Sequence, residues 1–316
     1  MKKCMLCLCI FTALYTAAQK TTYYNWRGLP CDISMARFIS VVTQTDSGWL
    51  RSDIYIATKK LRMEGLYKDS NCLVPNGWQR WYYTNGNKAS EYWFPNGIPE
   101  GAFITYHYNG MIKDSMVYVK GVLTGTSKSW HNNGYIADSV VYRNDSAAVM
   151  VSWFDNGVPS GGGKTNNWSP EGKWRYFHRN GKLASLEEYK ANKLVSRIYF
   201  DEDGMQLTDT SSRDRRALFR GNNTKWKRYV ENNLQWPKHV NLVNTDTITV
   251  VVYATIDEAG NVTDAYVEVP FHPLFDNEVL RVVKRSPKWK PAVSHNRYVK
   301  DWLIEAVDFI GRPKKD

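Results

Sequence analysis

TYHYNG (Thr105–Gly110) returns 24 residues later as SWHNNG (Ser129–Gly134). In both, an aromatic stretch runs into Asn-Gly, a dipeptide that accepts the positive φ of a tight hairpin turn. Each copy therefore reads as strand, turn, strand. WYYTNG (Trp81–Gly86), SWFDNG (Ser152–Gly157), YFHRNG (Tyr176–Gly181) and IYFDEDG (Ile198–Gly204) follow the same plan. Their turn glycines, Gly86, Gly110, Gly134, Gly157, Gly181 and Gly204, lie 24, 24, 23, 24 and 23 residues apart. A second series falls between them at Gly97 and Gly121 and continues at Asp145, so the half-period is 11 to 13 residues. A lone hairpin is marginal in water, whereas stacked hairpins bury their aromatic faces against one another. The 13 Trp and 20 Tyr are thus first explained as packing, with an exposed aromatic row for carbohydrate as the other reading. DIYIATKKLRMEGLY (Asp53–Tyr67) fits a diverged copy of the unit.

The same ladder settles GVPSGGGKT (Gly157–Thr165), which has the look of a phosphate loop. A nucleotide loop needs four residues between its glycine and Gly-Lys-Thr, but Val158 stands where that glycine should be. NNWSPEGKW follows, with no helical period to supply amides for a phosphate. No nucleotide is expected. Gly157 and Gly161 align with the G-x-x-x-G of NGIPEG and KGVLTG, and Gly162 and Gly163 are expected to loosen one repeat.

The N-terminus, MKKCMLCLCIFTALYTAAQK, has a basic start, an apolar run and small residues at Thr16 and Ala18. It reads as a signal peptide over residues 1–18, with an uncleaved anchor as the alternative. Cleavage removes two lysines and no acid, taking the formal charge from +11 to +9. Cys31 and Cys72 would then be the remaining cysteines in an oxidising compartment, where a disulfide and two free thiols are both open readings. Neither has a His or Cys partner at metal-ligand spacing, so no metal is expected. The basic balance joins no recognisable nucleic-acid fold, and no nucleic acid is expected.

After Gly204 the period changes. QLTDTSSRDRR (Gln206–Arg216) reads as a linker. TKWKRYVENNL (Thr224–Leu234) and DNEVLRVVKRS (Asp276–Ser286) have helical spacing. TITVVVYATID (Thr247–Asp257) alternates, with Ile248, Val250, Val252, Ala254 and Ile256 on one face. VTDAYVEV (Val262–Val269) makes a hairpin with it, and RYVKDWLIEAVDFI (Arg297–Ile310) reads as a third strand. The fold class is mainly β with a C-terminal α+β domain of two helices on a three-stranded antiparallel sheet.

The repeat resembles the MORN-type family, in the variant found in bacterial exported proteins. The Y/W-x-x-N-G units and the paired glycines Gly97/Gly101 and Gly121/Gly125 carry the likeness, over about residues 50–207. It implies an extended sheet of stacked hairpins and no catalytic residue. The last hundred residues resemble the C-terminal domain of the TonB family. FRG (Phe219–Gly221), NNLQWP (Asn232–Pro237), TIDEAGNVTDAYV (Thr255–Val267), FDNEVLRVVKRSPKWKPA (Phe275–Ala292) and VDFIG (Val307–Gly311) appear in order. SHNRYV (Ser294–Val299) departs from the family, which has Asn-Gly-Lys there.

The domains are therefore a signal peptide (1–18), a repeat region (19–207, its first part diverged), a linker (208–217) and a TonB-like domain (218–316). The TonB resemblance implies an edge strand, about Tyr298 to Ile310, that pairs with an extended segment of an outer-membrane or periplasmic protein. Tyr298, Val299, Lys300, Trp302 and Ile304 would form that edge, with Trp236 and Pro237 near the bound segment; Trp236 and Trp289 as plain core is the competing reading. A motor-coupled transducer needs a membrane helix and a Pro-rich spacer, and the 12 prolines are scattered. A periplasmic or outer-envelope binding module fits better, with the transducer and a repeat scaffold for envelope protein or glycan as alternatives. Membrane association would follow only from an uncleaved N-terminus. The six histidines sit in no metal or nucleophile motif, and FDEDG lacks calcium-loop spacing, so no enzyme and no cofactor are expected.

Overall fold

The computed structural model describes residues 19–142, 147–238 and 247–310. The expected signal peptide and Asp145 lie outside them. Fifteen strands, β1 (Gln19–Tyr24) to β15 (Lys193–Tyr199), form one antiparallel sheet in which every strand pairs with its sequence neighbours.

At one end of the sheet the Asn-Gly turns repeat a single hydrogen-bond pattern. Gly110 donates to the His107 carbonyl at 2.8 Å, and His107 donates to the Met111 carbonyl at 2.8 Å. The same pair recurs around Gly86, Gly134, Gly157, Gly181 and Gly204. All six glycines have φ between +81° and +95°, where a side chain is strained.

Each turn also binds the next one. Asn85, Asn109, Asn133 and Asn180 donate through Nδ2 to the carbonyls of Tyr108, Asn132, Asp155 and Glu202, each at 2.8 Å. His107, His131 and His178 reach the carbonyls of Trp130, Trp153 and Phe200 at 2.7, 3.0 and 2.9 Å through Nε2. A carbonyl only accepts, so Nε2 carries the proton in each. Burial lowers the pKa of His107 below its ordinary value, which favours the neutral ring. These histidines are staples between repeats.

The opposite end turns mostly without Asn-Gly. Asn167-Trp168 and Ala191-Asn192 have positive φ at both residues, as two-residue hairpin turns require. Gly157 belongs to the first end and not to this one, which corrects its alignment with Gly97 and Gly121. Gly161 lies extended within β12 (Pro159–Asn166), paired with Ser152 and Tyr176. Gly162 and Gly163 stay in register with β11 (Ala147–Trp153), but the pairing with the next strand shifts at Gly163, from Gly162↔Arg175 to Lys164↔Glu171, so the repeat is irregular there. A Cβ on Gly163 would lie 2.5 Å from the Trp174 ring, and one on Gly161 would lie 2.9 Å from Tyr176. The glycines clear a seat for both aromatics, which are buried, and Trp174 Nε1 donates to the Lys164 carbonyl at 2.8 Å.

Cys31 and Cys72 are separate free thiols. The main-chain N–H of Cys31 donates to the Tyr23 carbonyl near the end of β1, whereas Cys72 follows β4 (Leu61–Tyr67), whose end pairs with Trp49. The two lie at opposite ends of the strands and three strands apart, beyond the roughly 4.4–6.8 Å Cα separation of a disulfide.

Two helices and a second sheet complete the chain. Helix α1 (Asn223–Asn233) and helix α2 (Pro273–Lys284) cover a sheet of order β17 (Val262–Val269), β16 (Thr247–Ile256), β20 (Asp301–Ile310). The alternating face of β16 is fully buried, and with Val267, Val279, Val283, Val307 and Phe309 it forms the core of this unit. The expected single last strand is two. β19 (Arg297–Val299) pairs with β18 (Ala292–Ser294) in a separate hairpin, and Lys300 parts it from β20. The expected linker is strapped down at Arg215, which bridges Val293, and Leu218 just after it bridges Lys290.

Candidate functional site

Strand β16 lies in the centre of the small sheet, so β17 and β20 are its edges. They meet different fates. The β17 edge rests on the repeat sheet. Thr84 Oγ1 donates to the Val267 carbonyl at 2.7 Å, and the Tyr266 ring stacks on Tyr108 with centroids 4.2 Å apart and meets Tyr83 edge-on at 5.5 Å. Asn132 donates to Asp264 at 2.6 Å.

The β18–β19 hairpin plugs into the sheet near β13 (Ser169–Phe177) and β14 (Leu183–Lys190). Its turn, His295-Asn296, has φ of 53° and 61°, so two non-glycine residues make a turn that glycine would make without strain. The His295 ring stacks on Tyr176 at 3.7 Å and 6°, and its Nδ1 lies 3.0 Å from Glu187. Glu187 is 2 % exposed. Burial opposes its ionisation, but donors on His295, Tyr189 and Ser185 outweigh it and hold the carboxyl at about 2. Asn296 donates to the Phe200 carbonyl at 2.9 Å, and Arg297 bonds the Ser160 carbonyl. Lys300 pairs with Asp155 at 2.5 Å.

Strand β20 pairs only with β16, in unbroken register from Thr247↔Ile310 to Ile256↔Asp301. Trp302 shows which way its groups point. Its N–H donates to the Asp301 side chain at 2.8 Å and its carbonyl accepts from Arg216 at 2.9 Å, so neither is spent on β16. Main-chain direction alternates along a strand. Ile304, Ala306 and Asp308 therefore also turn their N–H and C=O outward, and no main-chain bond among the described residues covers them. Arg216 and Asp301 close the first rung, and three rungs stay open.

The residues expected at the partner edge separate into groups. Trp302 and Ile304 lie on β20 and are 54 % and 61 % exposed. Tyr298 and Val299 lie in β19, and Lys300 is spent on Asp155. Trp236 stands edge-on to Phe275 and Phe309 at 5.5 and 5.9 Å, packed on the core, with Pro237 beside it. Ala306 and Asp308 complete the open row, and the alternation of the strand was the signal for them.

Beneath β20, between the small sheet and the repeats, runs a cleft of about 680 Å³. Its walls include Tyr83, Tyr108, Trp130, Tyr253, Tyr266 and Trp302. No helix among the described residues is long and apolar enough to cross a membrane.

No curated protein matches the chain. Among family models, no TonB C-terminal domain is matched, so the likeness of residues 218–311 rests on their motifs and element order. One model does match: that of the MORN repeat variant, over residues 170–191, which take in most of β13, the His178–Gly181 turn and β14.

Proposed function

We propose that the chain is a non-enzymatic, exported binding module of a Gram-negative envelope that captures an extended segment of a protein partner by adding it to β20. The open row of N–H and C=O groups at Ile304, Ala306 and Asp308 carries this reading. Such a row supplies affinity through main-chain bonds, while side chains set selectivity. Three outward residues at alternate positions match a partner segment of about five residues. The burial of the β17 edge leaves β20 as the accessible side of the small sheet. The TonB-like motifs favour the same edge and make an outer-membrane or periplasmic protein the class of partner. The signal-like N-terminus supports export. The repeat sheet replaces the long spacer of a motor-coupled transducer, which places the scaffold-borne module ahead of that alternative.

Proline at position 306 tests the reading. It removes one outward donor and leaves the ladder to β16 untouched, as edge prolines do. Heptapeptides selected from a randomised display library on the full chain serve as the probe. Ala306→Pro should weaken their binding about five- to tenfold, as loss of one main-chain bond implies, with the melting midpoint held. N-methylation of alternate peptide amides should do the same with the protein unchanged. Full-strength binding in both cases would sink the proposal.

A further inference from the structure

The cleft beneath β20 carries charge that strand addition leaves unused. Asp114, Asp138 and Asp264 line it, and each is oriented through one oxygen by an uncharged donor. Thr105 donates to Asp114 at 2.5 Å, Ser129 to Asp138 at 2.8 Å and Asn132 to Asp264 at 2.6 Å. Among the described residues no basic side chain comes within 4.0 Å of any of the three. Lys300, at the cleft wall, is spent on Asp155, and Asp301 is spent on Arg216. Lys113 is the remaining lysine on the wall and the buried Arg297 acts on Asp138 from further off, so the three carboxylates still outnumber the cations that face them.

The register fixes their spacing. Asp114 and Asp138 both pair with Ser129 of β9 (Val122–Trp130), one from each side, so they stand two strands apart, about 10 Å. Oriented carboxylates among aromatic faces repel anions and attract cations with an apolar stem. The chain displays that chemistry at the cleft mouth. The Arg216 guanidinium lies 5.0 Å above the Trp302 ring, donates to Asp301 at 2.7 Å and to the Trp302 carbonyl at 2.9 Å.

The geometry points to this cleft as the pocket for a lysine or arginine side chain of the segment that pairs with β20. The inference rests on the strand-addition reading. In a strand added to β20, alternate side chains fall on the face shared by Trp302, Ile304 and Tyr253, which looks onto the cleft. The partner segment is thus extended and basic at one alternate position. An acidic residue there meets Asp114 and Asp138 and is rejected.

The test uses the full chain and the same heptapeptide library, with arginine amide as a small probe read by Trp fluorescence. The selected peptides should carry Lys or Arg at one fixed position, and changing it to Gln should weaken binding about tenfold. Asp114→Asn with Asp138→Asn should erase that difference while keeping the Gln peptide's affinity. Arginine amide should bind wild type and Ala306→Pro alike, and the double Asn variant more weakly. Peptides that bind with no basic preference overturn the pocket and leave strand addition standing. Arginine amide binding with no peptide selected overturns strand addition and leaves a cation site. Loss of neither probe's binding in the Asn variant, or no binding of either probe, overturns the inference.

Discussion

Alanine in place of His295 is expected to cost about 3 kcal/mol at pH 7 and to loosen the small unit from the sheet. The change removes a ring stacked 3.7 Å from Tyr176 and the Nδ1 group 3.0 Å from Glu187. Removing one partner of a buried pair costs roughly 3–5 kcal/mol, because the other charge stays behind. Ser185 and Tyr189 still donate to Glu187, which puts the cost at the lower end. The sign of the pH dependence follows from Glu187. Its folded carboxyl sits at about 2, below the unfolded value near 4.3, so its contribution is complete above the unfolded value. It is lost as pH falls from about 4.3 to 2, and in wild type amounts to roughly 3 kcal/mol. In His295→Ala the carboxyl moves back toward its ordinary value and that acid-dependent loss shrinks. Urea melts at pH 7, 4 and 2.5 read both effects, and hydrogen exchange at Ala184 and Phe200 reads the loosening. A variant within 1 kcal/mol of wild type at pH 7, with an unchanged acid profile, would show that the hairpin is not a plug.

What sequence alone could reveal divides along physical lines. Asn-Gly turns are local chemistry, and the 23–24 residue spacing of Gly86 to Gly204 made the stacked hairpins legible. The alternation of Ile248 to Ile256 is local too, and these residues do form the buried face of β16. The staple role of His107 and His131 was open to the same reasoning, since they stand 24 residues apart at one turn position. His178 was harder to see because Phe154 interrupts the series. The hairpin at His295-Asn296 was hidden by its turn, which takes positive φ without glycine. The cleft was hidden altogether. It joins Asp114 and Asp138 of the repeats to Asp264 and Trp302 of the small unit, and no periodicity records a contact between segments that far apart. The open edge lies between these cases. The last strand was readable, but that β20 and not β17 stays uncovered follows only from how Tyr266 and Thr84 dock.

The glycines of β12 supply the second large effect. Alanine at Gly161 puts a Cβ 2.9 Å from the Tyr176 ring and 3.1 Å from the Arg175 carbonyl, so the ring must tilt or the strand must part. Overpacking of this kind costs about 1–3 kcal/mol. Alanine at Gly163 meets the Trp174 ring at 2.5 to 2.6 Å and should cost as much or more. The two differ in what they move. Tyr176 is the platform on which His295 stacks, whereas Trp174 is anchored to the Lys164 carbonyl within its own hairpin. Once Gly161→Ala has tilted Tyr176, His295 has less left to lose. In a double-mutant cycle the Gly161→Ala and His295→Ala costs should fall short of additivity by about 0.5–2 kcal/mol, as contacting residues do. Gly163→Ala with His295→Ala should couple by less than about 0.5 kcal/mol. Equal coupling in the two cycles would mean that the sheet responds as a whole and that the glycines are not seats for particular rings. Unequal coupling traces a chain of contact from Gly161 through Tyr176 to His295. By that route a glycine-rich strand that resembles a phosphate loop holds the small unit, with its open β20 edge, onto the repeats.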